Sequence, residues 1–490
     1  MIAEATTTSE ATITLEQSVA EKSWTPVEKY FFRTFFIFFF VLIVPLNTAY
    51  YRQWFTTDWA HLHIRDIGRL SGSSFNPIKV AGKRPGANDT GGIPISKQSL
   101  LTIYPESGEF GLASYVNWGL AFVIGLAGAA LWGLFDRKRR NYDTLYYFLA
   151  AGVSYSMVIQ LQGLTFSKVF PTQMPELALT QLNTPFGDFV AQKLYWIQFS
   201  FVHDYEIFAG FAELLIMGFL FFRQTRALGA ALSLAMIGNI AFANHAYDGG
   251  IHLAASFFAL GGAFVLWRYI PAVWKLIVKE ESAKLGISYP SFSKPWQKYG
   301  RITFKIFVFG FFFVTSAYLH WQNYKHDSYK VPSRPGLTNA RGLYDVSEFR
   351  INNKVIPYSP VDSLRWQDVT FEKWSTLSFS VFNTFMIHGE AGRGKQFKDV
   401  DRTYESAGTG GGRRHFYYEA DTVNQVLHLQ NKNKVYAHQK LDLHYSRPSA
   451  SQLILWGKNE HQDSIYIVLN RKNKTYPLYQ NREKSVIVQP

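Results

Sequence analysis

The sequence predicts an α-helical polytopic membrane bundle followed by a mostly antiparallel β domain. Several segments are apolar over lengths that exceed a buried globular helix, and about twenty such residues suffice to cross the hydrocarbon layer of a bilayer. The chain is also rich in aromatic residues, 17% of 490 positions, with 42 phenylalanines. Its mean hydropathy is nevertheless only -0.07, too low for a chain embedded throughout, so a large polar portion must offset the spans.

Residues 1–27, "MIAEATTTSEATITLEQSVAEKSWTPV", lack the basic start, apolar run and small-residue cleavage site of a signal peptide, and are expected to form a flexible cytoplasmic arm. A transmembrane domain is expected over 28–321, with seven spans at about 30–51, 113–135, 145–164, 206–222, 227–247, 251–270 and 302–321. Pro45 should kink the first of these. Residues 52–112, rich in glycine and proline, read as an irregular extracytoplasmic loop.

Orientation follows from the short basic loops, because lysine and arginine accumulate on the cytoplasmic side. "RKRR" at Arg137–Arg140, "RQTR" at Arg223–Arg226 and the lysines of 271–301 are expected inside, the last stretch as an amphipathic helix along the membrane surface. The amino end is then cytoplasmic and everything beyond Trp321 extracytoplasmic, as in a bacterial inner-membrane protein. The net charge of +14 is read as this topology signal. No nucleic acid partner is expected, since no helix-turn-helix or RNA-binding signature accompanies the charge. With no cysteine, the chain has no disulfide, no thiolate nucleophile, and no cysteine-ligated zinc or iron–sulfur cluster. Redox work would need a bound cofactor.

The carboxyl-terminal third changes character. "FRINNKVIPYSP", "HFYYEADTVNQVLHLQNK", "KLDLHYSRP", "QLILWGKN" and "SIYIVLNRK" alternate apolar and polar residues between Asn, Gly, Pro and Lys turns. Residues 322–490 are therefore expected to form one β-sandwich or small barrel.

Two glycine-rich stretches imitate phosphate loops. "GEAGRGKQ", Gly389–Gln396, has the spacing but places Gln396 where Ser or Thr should reach magnesium, so a hairpin loop is the better reading. "AGTGGGRR", Ala407–Arg414, likewise reads as a loop. His428, His438 and His444 are expected as satisfied strand histidines, and His61 and His63 lack an evident third ligand.

Polar groups at membrane depth carry more information, because an ionisable side chain there is costly unless it meets a partner or water. Glu213 sits about 10 Å from the outer end of its span by helical rise. It is either a carboxylate tying two helices or a proton-accepting, ligand-binding group. Gln160, Gln162 and Asn239 are expected to hydrogen-bond across helices. The segment "GLTFSKVFPTQMPELALTQLNTPFGDFVAQKLYWIQFSFVHDYE", interrupted by prolines, reads as a lid along the outer interface. In "NIAFANHAYDGGIHLAASFF", a single helix would stack His245, Asp248 and His252 on one face, making the two histidines weak metal candidates. The glycine pair instead predicts an outer turn, with Asp248 bonding the backbone that opens the next helix.

Over about 145–270 the chain resembles the DoxX-like family of four-helix membrane proteins, in a long form with an added extracytoplasmic part. "GLTFSKVFPTQMP", "LNTPFGD", "YEIFAGFAELLIMGFLFFRQTRALGA" and "NIAFANHAYDGG" carry the resemblance, in that order. It implies a four-helix core and an association with quinone-linked redox proteins such as the thiosulfate:quinone oxidoreductase membrane subunit. The positions it marks as a pocket are Lys168, Gln173, Asp188, Glu213, Tyr247 and Asp248.

Two functions of different class follow. In the first, the helical body anchors the β domain outside as a binding or scaffold component of an envelope assembly, with the bilayer and an envelope protein as partners. In the second, a quinone-linked oxidoreductase subunit holds its cofactor near Glu213 and Asp248 and takes electrons from a redox partner.

Overall fold

In a computed structural model, the residues described are 23–46, 48–72, 75–80, 101–103, 111–283, 289–327, 330–387 and 398–480. The "GEAGRGKQ" stretch lies outside them, as do residues 1–22. The helices ahead of the β domain include α1 (Pro26–Ile43), α2 (Thr48–Thr56), α3 (Ile64–Ser71), α4 (Leu112–Phe135), α5 (Asp143–Val169), α6 (Leu179–Leu182), α7 (Ala191–Ser200), α8 (His203–Phe221), α9 (Arg226–Ala246), α10 (His252–Leu266), α11 (Ile270–Val278) and α12 (Pro295–His326).

Among the described residues four helices are long and apolar enough to cross a membrane: α4, α5, α9 and α12. A fifth span is available if α10 and α11, bent by 76° at their junction, count as one. The remaining two expected spans exist as helices, but each carries three charged residues: Glu28, Lys29 and Arg33 in α1, and Asp204, Glu206 and Glu213 in α8. Length and composition therefore give four spans or five, and the expected seven are not established.

The first span is shorter than expected. Pro45 has no N–H and forces the residue before it out of helical geometry, so Val44 is extended at φ -89°, ψ 120° and the chain restarts as α2. The stretch expected as an irregular loop holds α3 and a short parallel pair, β1 (Ile78–Val80) with β2 (Leu101–Ile103). Nor is the whole of 1–27 a flexible arm. Thr25 and Glu28 close a reciprocal capping box at the start of α1, and Trp24 is buried, its indole donating to Asp143 at 3.1 Å.

Helices pack closely where glycine leaves room. A Cβ on Gly125 would lie 2.7 Å from the Thr34 carbonyl oxygen, joining α4 to α1, and one on Gly210 would lie 2.6 Å from the Val169 nitrogen, joining α8 to α5. Phe32, Phe39, Val153, Met157 and Phe258 lie in the core so formed. The basic loops gather at one end of the bundle. Trp24 donates to the Arg140 carbonyl, Arg268 bonds Asp143, and Arg223 lies over the Tyr289 ring. Arg33, buried within α1, reaches that same end, donating to the Tyr142 hydroxyl at 2.7 Å and to the Asp136 carbonyl.

At the opposite end stands the β domain. Its strands are β3 (Gly342–Ile351), β4 (Lys354–Val355), β5 (Asp368–Phe371), β6 (Thr376–Ser380), β7 (Arg413–Asp421), β8 (Val426–Asn431), β9 (Lys440–Ser449), β10 (Gln452–Lys458) and β11 (Ser464–Arg471). All pairings in this sheet are antiparallel, running β3-β5-β6-β7-β8-β9-β10-β11, and β11 returns to pair with β3. This closes an eight-stranded barrel, with β4 as a short extra partner at the far end of β3. Of the two architectures expected, closure selects the barrel.

Eight strands leave an interior that side chains can fill. Alternate residues do so: Leu377 and Phe379, Phe416 and Tyr418, Leu427 and Leu429, Leu441 and Leu443, Leu453 and Leu455, Ile465 and Ile467. On a free barrel the alternating outward residues would be wet. Here Thr370, Thr376, Ser378, Arg413 and His415, on the outer wall of β5, β6 and β7, are buried as well. Something covers that wall.

Candidate functional site: a polar interface on the barrel wall

The cover is the chain between α5 and α8. Expected as a lid lying in the membrane interface, it instead crosses the outside of the barrel. Glu372, just past β5, accepts the Leu179 N–H at 2.9 Å and the Thr180 N–H at 2.7 Å, capping the single turn of α6. The Thr180 hydroxyl lies 2.8 Å from that of Ser378 and 3.3 Å from His415 Nε2. Arg413 bridges to Asp368 at 2.8 Å and donates to the Asn183 carbonyl at 3.4 Å. On α7, Lys193 Nζ donates to the Tyr404 carbonyl and sits 4.3 Å from the centre of that ring, while Ser200 bonds the Tyr404 hydroxyl.

Further along, the segment adds backbone bonds. Val190 N donates to the Gly408 carbonyl at 3.0 Å, and Gly410 N to that of Asp188 at 2.7 Å. The "AGTGGGRR" stretch is a loop as expected, and its glycines have a reason. Gly411 has φ 61°, and a Cβ there would lie 2.1 Å from a carboxylate oxygen of Asp188. Against the same wall, Lys432 and Glu405 form an ion pair with both side chains at 0% exposure, and the Thr376 hydroxyl donates to the same Glu405 oxygen at 2.9 Å.

Burial sets the electrostatics. It raises the Glu372 carboxyl to about 7 against the opposing pull of the Thr180 and Leu179 N–H groups. It lowers Lys193 to about 7, partly resisted by Glu405. His415 is held well below the ordinary histidine range, first by burial and then by Arg413, Lys432 and Lys193 around it. Where β7 begins and β8 ends, the barrel rim holds a cavity of about 150 Å³. His415 and Arg413 are among the residues that line it.

The six residues marked by resemblance fall into separate places. Lys168 and Glu213 are brought together, with Nζ 2.8 and 2.9 Å from the two carboxylate oxygens, and the Thr165 hydroxyl adds a 3.4 Å contact. Both partners of Glu213 come from α5, so the group ties α8 to α5, one turn below the close approach at Gly210. Gln173 lies beyond α5, donating its N–H to the Ser167 carbonyl and accepting Lys330 at its own carbonyl. Asp188 belongs to the barrel interface. Tyr247 stacks on Tyr195 with centroids 5.3 Å apart.

Asp248 occupies the turn between α9 and α10 in left-handed geometry, φ 51°. Asn244 bonds the backbone that opens the next helix: its side-chain oxygen accepts the Ile251 N–H at 3.3 Å, and its carbonyl accepts Gly249 N. Trp196 of the cover donates to the Gly249 carbonyl at 3.1 Å, linking this turn to the barrel interface. His245 and His252 do meet, ring centroids 4.8 Å apart, His245 bonded to the Tyr115 hydroxyl at 2.7 Å and His252 to the Ser114 hydroxyl at 2.8 Å. Among the described residues no group of three His, Cys, Asp or Glu could hold a metal.

Elsewhere Gln162 joins helices as expected, donating to Ser71 of α3 and accepting from Ser316 of α12. His428 bonds Asp442 and His444 stacks on Trp456, while His63 caps α3. Sequence reasoning missed Lys193, Glu372, Glu405, His415 and Lys432. The alternating "TLSFS" of β6 looks like any half-wet strand, and nothing local announces that its polar face is covered.

No protein-family model matches the chain, and no solved structure matches it. Among curated proteins it is similar to the uncharacterized protein YwoB of Bacillus subtilis (strain 168), 33% identical over 72 residues. That match covers 15% of this chain, which spans about half (47%) of the length of that relative.

Proposed function

We propose that the protein is a membrane anchor presenting an extracytoplasmic β-barrel as a binding or scaffold module of an envelope assembly. The observation that carries this reading is the docking of the chain between α5 and α8 along the barrel wall. A tethered domain needs only a linker, whereas this one is joined by capped backbone, buried hydrogen bonds and an arginine–carboxylate pair, fixing its orientation on the helical body. The packed interior leaves the outer surfaces and rim for recognition. The gathering of basic loops at the end of the bundle away from the barrel supports an extracytoplasmic barrel.

The test has two readouts. A tag placed after Pro490 should be reachable from outside intact spheroplasts, and a photoreactive residue replacing Trp456, on the uncovered wall of β10, should cross-link one discrete envelope component in living cells. Protection of the tag, or no discrete product from Trp456 and neighbouring outward positions, would sink the proposal.

A second reading, the quinone-linked subunit of the DoxX-like resemblance, draws on a different observation: a carboxylate–ammonium pair held in the helical body, where such groups are costly. It expects a quinone to co-purify in mild detergent and to be lost in Glu213→Gln. Lipid extracts free of quinone, or equal retention by the variant, count against it.

A further inference from the structure

We propose that the cavity at the barrel rim binds a neutral, hydroxyl-rich ligand the size of a single sugar ring. This rests on the barrel serving as a binding module, and it adds the ligand class. Size comes first. At about 150 Å³ the cavity is smaller than the ~300–1,000 Å³ of pockets for drug-sized ligands. Neither a nucleotide nor a quinone head with its tail would be enclosed.

Charge comes next. Two guanidinium groups line the cavity, yet Arg413 is paired with Asp368 at 2.8 Å and Arg414 with Glu460 at 2.9 Å. The buried imidazole of His415 adds no cation. An anion would have to compete with carboxylates already in place, so the positive residues build the wall without creating an anion site.

What remains is amide and hydroxyl chemistry beside an aromatic mouth. Thr409 lines the cavity at 2% exposure, and its hydroxyl oxygen has no hydrogen-bond partner. A buried hydroxyl left so costs on the order of 1–3 kcal/mol, which a ligand hydroxyl would recover. Asn431 and Asn433 are also buried and face the cavity with their amides already oriented, Asn431 donating to Gln439 at 2.8 Å and Asn433 to the Met386 carbonyl at 2.7 Å. Each keeps unused hydrogen-bonding capacity. At the more exposed side, Phe385 and Tyr436 meet with centroids 6.2 Å apart, offering an apolar surface to the C–H face of a ring. Oriented amides, a free hydroxyl and an aromatic edge with the charge neutralised are the complement of a polyol.

The experiment uses the full chain in detergent, with D-glucose and N-acetyl-D-glucosamine as probes and glucuronate and inorganic phosphate as charged controls. Saturation-transfer NMR and equilibrium dialysis should detect a neutral sugar at up to about 10 mM, with Thr409→Val weakening it about tenfold, the loss of one good hydrogen bond. Tyr436→Ala, nearer the mouth, should weaken it too while leaving the circular dichroism unchanged. Failure of both neutral sugars to bind, preference for glucuronate or phosphate, or undiminished binding by both folded variants overturns the proposal. Purified protein reports sugar binding whichever side of the membrane the barrel occupies. A protected carboxyl-terminal tag with sugar binding intact would thus refute only the anchor reading.

Discussion

Replacing Lys432 with methionine should destabilise the β-barrel by about 3–5 kcal/mol, the usual cost of removing one partner from a buried ion pair. Lys432 and Glu405 are both fully buried, and one Glu405 oxygen, Oε2, has no hydrogen-bond partner even with the lysine in place. Burial pulls the Lys432 ammonium down from its ordinary range while Glu405 holds it up, so the pair is a balance between desolvation and attraction. Without the ammonium, Thr376 alone would face a carboxylate in a dry wall. The companion variant Lys432→Met with Glu405→Leu removes both charges and should recover most of the loss, because a buried pair and an apolar pair of similar volume are often nearly equivalent. Urea denaturation of the full chain in detergent, followed by tryptophan emission, measures both. A single variant as stable as wild type, or a double variant no better than the single, would show that the pair is not the strut described.

A second large effect should appear in the pH dependence of the docked segment. Glu372 has its carboxyl raised to about 7 by burial, so the docked state favours its protonated form. Its contribution is fully present below the unfolded value near 4.5 and is lost as pH rises through about 7, a total on the order of 3 kcal/mol. Lys193 in the same interface runs the other way. Lowered to about 7 by burial, it favours the neutral amine, so its contribution is present above its ordinary value and is lost as pH falls toward 7. On these two groups alone the interface is weakest near neutrality and firmer on either side.

Glu372→Gln should flatten the acid arm, and Lys193→Met the alkaline one. Limited proteolysis between α5 and α8, compared between wild type and each variant at about pH 5, 7 and 9, reads the two arms separately. Equal slopes in wild type and Glu372→Gln across the acid range would mean that this carboxyl does not govern docking.

Much of the architecture was readable without coordinates. The long apolar runs appear as helices near their expected limits, Pro45 interrupts the first, Gly249 and Gly250 make the turn after α9, and the alternating tail becomes antiparallel strands. These features are local. Periodicity, proline and glycine act within a few residues, and the chain states them directly. Glu213 was also found from sequence, because an ionisable residue in an apolar tract stands out by itself, whereas its partner Lys168 was marked by the resemblance alone.

The covered wall was not readable, for a physical reason. A strand's two faces alternate identically whether its polar side meets water or another segment, so "TLSFS" and "RRHFYYEAD" carry no mark of what lies above them. Lys193 and Glu372, 179 positions apart in the chain (372 - 193), come into one interface only when the segment between α5 and α8 reaches across to the barrel. Asp188, assigned by resemblance to a membrane pocket, proves to cap a glycine loop of the barrel. Where helices and strands form was written in the chain, since those depend on neighbours within a turn or a pleat. Barrel closure, the covering of its wall and the identity of the buried polar groups depend on contacts between segments far apart in the chain, from 27 positions for Lys432 and Glu405 to 235 for Thr180 and His415, which local patterning does not encode.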